Sequence, residues 1–324
     1  MLFTAIFFLS AFLLLAAWYA YRTAFYSPLS RRAQIEDPME GEQYIGVSEN
    51  IFRISHIMER IPYQEVSIQS HDGLTLYGRY YHVRDGAPLE ILFHGYRSHA
   101  YRDCSGGHAL SRKMGFNALV VDQRAHGKSG GTTICFGIKE RYDVLSWIRY
   151  ANDNFCTGNP IILSGLSMGA ATVLMATSLP LPHNVCCIIA DSPFSAPSTI
   201  IEKVCIDRKL PVALCRPFIY LGAALFGKLN LNEMTAMEAV RGAIIPILLV
   251  HGEEDRYVPC EMSLQIASHC SSRVEVVTFP GAGHGLCYMV DPKRYEKIVY
   301  DFLCTVPQLK DTIAPGFLKQ LFEE

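Results

Sequence analysis

From Tyr63 onward, short apolar runs alternate with longer amphipathic segments. The runs are Glu65 to Gln69, Leu74 to His82, Leu89 to Phe93, Ala118 to Val121, Ile161 to Leu163, Val185 to Ala190, Ile245 to Val250 and Val274 to Phe279. Most are short, β-branched or Leu-rich, and apolar on both faces, as strands buried in a parallel sheet should be. The pattern predicts an α/β fold with a mostly parallel eight-stranded sheet flanked by helices. His71-Asp72-Gly73 is a tight turn that makes the first two strands an antiparallel pair. Ile138, Tyr142, Leu145 and Ile148 repeat at helical spacing. Asp291 followed by Pro292 opens a last helix, with Tyr295, Ile298, Val299 and Phe302 as its buried stripe. The rhythm stops between Pro193 and about Ala243. There Thr199 to Glu202 reads as a capping box, and Pro211 and Pro217 are expected to divide the stretch into short helices that form a cap.

A different pattern opens the chain. Leu2 to Tyr21 carries no charge, and twenty helical residues span about 30 Å, the thickness of a bilayer core. Trp18, Tyr19 and Tyr21 lie at one end, where amphipathic rings favour the headgroups, and Arg22, Arg31 and Arg32 follow. A cleaved signal peptide has a basic start and small residues at its cleavage site; here no Lys or Arg precedes the apolar stretch, and bulky rings sit where small residues belong. The expectation is an uncleaved single-pass anchor, with the basic residues placing the catalytic domain in the cytoplasm.

Composition sharpens this only at the margins. The 324 residues are half hydrophobic and 19% charged, with a formal net charge of −2. That suits a globular enzyme and gives no basic stripe for nucleic acid. The cysteines are eleven, an odd number without framework spacing, which reads as reduced core residues. Adjacent Cys186 and Cys187 lie in one strand run and should face opposite sides of it. His99, Cys104 and His108 match no standard metal spacing, so neither a metal nor another cofactor is expected.

The chemistry is carried by Gly165-Leu166-Ser167-Met168-Gly169, which follows one strand run and precedes the small-residue helix Ala170 to Ser178. Strand, sharp turn and helix are the context in which a G-x-S-x-G serine stands exposed at a sheet edge. A serine hydroxyl needs a general base, and the base needs an orienting carboxylate. Glu253, Glu254 and Asp255 cluster after the run ending at Val250, with Asp191 as a rival after the preceding strand. Asp255 is preferred because it lies deepest in the loop. His284, in the glycine-rich loop Pro280 to Gly285, is the candidate base. The backbone N–H groups of Met168 and Tyr96 are the candidate oxyanion donors, one directly after the nucleophile and one in the loop after the third run.

With those residues in place the chain resembles the α/β-hydrolases, and within them the serine-aminopeptidase-like branch. The resemblance rests on His94-Gly95, the segment Asp122 to Ser129, the nucleophile motif, His251-Gly252 through Asp255 to Val258-Pro259, and Gly283-His284. It covers roughly residues 64 to 304. It implies the α/β-hydrolase fold, a Ser167–Asp255–His284 triad, and a structural role for Asp122 to Ser129 and for Asp191-Ser192-Pro193. The expected organisation is an anchor at 1–22, a linker with a short helix at 23–62, the hydrolase domain at 63–306 with its cap at about 194–243, and a C-terminal tail at 307–324. The expected activity is cleavage of a carboxylic ester or related acyl bond in a small-molecule substrate, with aminopeptidase-like or thioesterase chemistry as enzymatic alternatives and a non-catalytic membrane scaffold as the alternative outside enzymology. Phe218, Ile219, Leu221, Leu225 and Phe226 of the cap suit either an acyl pocket or packing on the core.

Overall fold

A computed structural model describes residues 2–38, 41–155, 158–314 and 317. The helices are α1 (Leu2–Ala24), α2 (Ser48–Glu59), α3 (Ala100–Met114), α4 (Glu140–Asn154), α5 (Met168–Met175), α6 (Pro197–Asp207), α7 (Val212–Gly227), α8 (Ala236–Ala239), α9 (Glu261–His269), α10 (Cys287–Val290) and α11 (Pro292–Cys304). The strands are β1 (Gln64–Gln69), β2 (Thr75–Tyr81), β3 (Leu89–Phe93), β4 (Asn117–Val121), β5 (Ile161–Leu166), β6 (Val185–Asp191), β7 (Ile247–Gly252) and β8 (Val274–Phe279). They form one eight-stranded sheet in the order β1-β2-β4-β3-β5-β6-β7-β8. β2 pairs antiparallel with β1 and with β4, and every other pairing is parallel. All eight apolar runs are strands. The residues of β3, β4, β6 and β7 are buried throughout, which is why those runs show no alternation.

Each face of the sheet has its own core. One gathers Leu119, Trp147, Leu163, Met168 and Leu249; the other gathers Ile162, Ile189, Leu248, Phe279 and Phe302. Asp291 caps α11 by accepting from the Arg294 N–H at 3.0 Å, as its sequence indicates. The adjacent cysteines depart from expectation. Cys186 and Cys187 both belong to the second core, while Val185 and Ile188 belong to the first. The pairing of β5 with β6 steps from Ile161↔Val185 to Ile162↔Cys187, so a bulge at Cys186 resets the alternation.

The cap also differs in detail. Thr199 to Glu202 lies inside α6, which starts at Pro197; the capping box closes instead at Thr235 and Glu238, ahead of α8. Pro at the first helical position fixes φ and gives up an N–H that has no partner there, so it outcompetes the threonine signal. Pro211 does precede a helix, but Pro217 does not end one. It sits in the second turn of α7, where the missing N–H costs one hydrogen bond and the remaining turns continue.

Phe3–Ala24 is, among the described residues, the one helix long and apolar enough to cross a membrane. It is joined firmly to the sheet domain. Phe25 is fully buried, its carbonyl accepts from the Ile134 N–H at 2.9 Å, and the Ser27 N–H donates to the Thr132 carbonyl at 2.8 Å. The Arg32 guanidinium donates to the carbonyls of Gly127 and Gly131, each at 2.7 Å. Arg32 is therefore buried against the Asp122 to Ser129 turn, leaving Arg22 and Arg31 as the basic residues flanking the apolar helix. Half of the expected tail at 307–324 lies outside the described residues.

Candidate active site

Ser167 sits between β5 and α5 with φ 55° and ψ −113°. A side chain rarely adopts positive φ, and holding it costs on the order of 1–3 kcal/mol. The turn is sharp because its glycines touch: a Cβ on Gly165 would lie 2.3 Å from the Gly169 carbonyl carbon, and one on Gly169 would lie 2.1 Å from the Phe93 oxygen. Any side chain at either position would push the helix off the strand. The strained residue is tied down by its own backbone, with the Ser167 N–H donating to the Asp191 carbonyl at 2.8 Å and the Ala171 N–H donating to the Ser167 carbonyl at 3.0 Å.

His284 faces it from the loop after β8. Its Nε2 lies 2.9 Å from Ser167 Oγ, and its Nδ1 lies 2.6 Å from Asp255 Oδ2. The other carboxylate oxygen of Asp255 accepts from the backbone N–H groups of Tyr257 at 2.9 Å and Val258 at 2.8 Å. His251, fully buried, stands 3.3 Å from Asp255 Oδ2 and is itself held between Ser263 Oγ and the Val258 carbonyl. Only a short side chain can be gripped by its own loop in this way. Glu253 points outward and accepts from Thr278 Oγ1, Glu254 is exposed, and the Asp191 carboxylate accepts from Ser192 Oγ. Geometry thus separates Asp255 from its three rivals.

The electrostatics follow the same partners. Burial pushes the Asp255 carboxyl upward, but the charge of His284 and hydrogen bonds from His251 and His284 outweigh it and hold the group at about 2. Burial pushes His284 downward, and the charge and hydrogen bond of Asp255, with smaller contributions from Asp191 and Asp103, raise it above its ordinary value. The pair therefore favours a neutral serine beside an imidazole that readily accepts a proton.

The loop after β3 approaches Ser167 closely. A Cβ on Gly95 would lie 3.4 Å from Ser167 Cβ and 3.0 Å from an Asp103 oxygen, so glycine is needed for the approach. Two of the three N–H groups here are engaged. Gly95 donates to Asp103 Oδ2 at 2.7 Å, and Arg97, at φ 49°, donates to His126 Nε2 at 2.9 Å. Among the described residues, neither the Tyr96 nor the Met168 N–H donates to another backbone group. The Tyr96 side chain leaves the site and donates its hydroxyl to the Ala24 carbonyl at 2.8 Å. The Arg97 guanidinium donates to the carbonyls of Thr23 and Tyr26. The C-terminal end of α1 is thus latched to this loop.

The segment Asp122 to Ser129 is structural, as the resemblance implies. Asp122 is buried in an ion pair with Arg79 at 3.0 Å, and Arg124 spans Asp72 and Asp143. His71, Asp72 and Asp143 have metal-like proximity, but the Arg124 guanidinium already bridges the two carboxylates. His99 caps α3 and His108 packs on Tyr81. Two residues beside the site escape sequence reasoning. Asp103 fixes the loop at Gly95, and Gln43, between α1 and α2, accepts from the His284 N–H at 2.8 Å. Neither has a local signal: Asp103 reads as an ordinary helix-start acid, and Gln43 lies 241 residues from its partner.

The fold is shared with known proteins. The sequence profile of the Alpha/beta hydrolase family matches residues 91–298. An uncharacterized protein of Bacillus subtilis, YqkD, is 24% identical over 69% of this chain and 74% of its own length. The Homo sapiens protein ABHD12B is 28% identical over 74% of this chain and 62% of its own length. An esterase structure from Pyrococcus furiosus superposes with a TM-score of 0.61 at 25% identity, covering 76% of this chain and 92% of that one. The serine elbow, the sheet order and a profile spanning most of the catalytic region agree, and the chain belongs to the alpha/beta hydrolase family.

Proposed function

We propose that this hydrolase is a membrane-anchored serine esterase that cleaves a carboxylic ester or a related acyl bond through an acyl-enzyme. The observation that carries the reading is the unbroken run from Ser167 Oγ through the His284 ring to Asp255, at 2.9 and 2.6 Å. His284 Nε2 takes the hydroxyl proton as Ser167 Oγ attacks the acyl carbon. Asp255 keeps Nδ1 protonated and steadies the imidazolium. The Tyr96 and Met168 N–H groups receive the oxyanion, since the N–H groups of Gly95, Arg97 and Ser167 are already engaged. His284 then passes its proton to the departing alcohol, and the same groups activate water to release the acid. The esterase relationship favours oxygen esters over amides. A fluorophosphonate probe is expected to label the chain at Ser167 and to spare the Ser167→Ala variant; labelling of both would remove Ser167 from the mechanism.

In this reading α1 is the anchor, with Arg22 and Arg31 holding the catalytic domain on the cytoplasmic side. Protease added outside intact cells is then expected to leave the domain whole, and digestion there would reverse the orientation.

A further inference from the structure

α7 lies along α1. Phe218 meets Phe12 edge to face at 6.2 Å between ring centroids, and Phe226 meets Tyr21 at 5.8 Å. Between these pairs a Cβ on Gly222 would stand 2.3 Å from the Ala17 carbonyl oxygen. The partners rise together along both helices, so the two run parallel, and the small residues Gly222 and Ala17 permit the close backbone crossing. The phenylalanines that suit an acyl pocket in the sequence are thus used against α1.

This register sets a geometric condition. Beyond Phe12, α1 has only about ten residues, or about 15 Å of helix, against a bilayer core of about 30 Å. α1 cannot reach its full apolar depth without carrying α7 with it. The outer surface of α7 suits that medium. Leu214, Pro217, Leu221 and Leu225 recur at helical spacing as one stripe, with Leu214 68% and Leu225 50% exposed, and no charge interrupts it. An aqueous cap would leave this stripe beside the exposed apolar side chains of α1 as one continuous patch. The ion pairs of α6 and α7 lie on the α6 side instead, where Lys203 meets Asp207 at 2.6 Å and Arg216 of α7 meets Glu202 at 3.3 Å.

We propose that α7 is a membrane-embedded helix whose Leu214–Leu225 stripe contacts lipid acyl chains, so that α1 and α7 enter the bilayer as one unit. The proposal rests on the reading of α1 as an anchor. It adds that the catalytic domain is held against the membrane in one orientation, because the oxyanion loop is latched to the end of α1 through Tyr96 and Arg97.

Tryptophan quenching by brominated acyl chains tests this in the full chain reconstituted into phosphatidylcholine vesicles. The protein has two tryptophans. Trp147 is buried in the sheet core and gives a constant background, and Trp18 reports on α1. Leu214→Trp and Leu225→Trp, each in a Trp18→Phe chain, report on α7, and two reporters keep the test sound should one variant misfold. Leu264→Trp, exposed on α9, is the aqueous control. The expected result is quenching at both cap reporters at least half as strong as at Trp18, and little at the control. Cap reporters that match the control while Trp18 is quenched overturn the proposal and leave the anchor standing. An unquenched Trp18 overturns the anchor, and the proposal falls with it.

Discussion

Among the described residues, α5, behind the serine, and α7, in the cap, are both short helices whose sequences are apolar almost throughout. Their surroundings are opposite. Every residue of α5 is buried, with Gly169 against β3 and Thr172 turned back to donate to the Met168 carbonyl. α7 buries only Gly222, Ala223 and Gly227. An apolar helix wedged between a sheet and its helices needs no further partner. One that buries its small residues and exposes its leucines is shaped for a second apolar medium. The first arrangement holds a strained serine in place; in the proposed reading the second sets the domain against the membrane.

The division of labour is sharpest at Ser167. Ser167→Ala is expected to lower kcat by on the order of 10⁴–10⁶-fold, because triad residues act as a unit. Membrane association should be unchanged, since the substitution lies on the α5 side. Steady-state kinetics beside a vesicle-flotation assay checks both halves, and retention of a tenth of the activity would break the assignment.

Asp255→Asn tests the electrostatics of the same side. Its expected loss is about 10⁴-fold in kcat, with a pH signature. His284 must be neutral to accept the serine proton, and its folded pKa is raised above the ordinary histidine value of about 6.5. Wild-type kcat/KM should therefore fall as pH drops through a pKa above that value. Asp255, held at about 2, stays ionised throughout and does not contribute the limb. Removing its charge should move the limb to lower pH in the residual activity of the variant. A limb that stays in place would show that Asp255 does not set the basicity of His284.

The smallest effect is expected on the α7 side. Gly222→Val drives a side chain into the Ala17 carbonyl and should cost about 1–3 kcal/mol by overpacking. A lowered Tm in detergent should accompany persistent fluorophosphonate labelling. An unchanged Tm would mean that α1 and α7 do not pack as described.

The strands, the elbow and the candidate triad are legible in the residues alone. These depend on short-range rules: apolar runs of buried strands, glycines where backbones touch, and the order of serine, acid and histidine along the chain. The sequence also narrowed the acid to a loop, but the choice among Glu253, Glu254 and Asp255 became physical only when the Tyr257 and Val258 N–H groups closed on Asp255. Tertiary structure alone decided the rest. The bulge at Cys186 depends on a neighbouring strand, Gln43 reaches His284 from the far end of the chain, and Arg32 is buried among carbonyls rather than flanking a membrane. α7 has the composition of a core helix and is placed on α1 by the fit of Gly222 to Ala17. Hydrophobicity says that a residue must leave water, and only the packing of distant segments says where it goes.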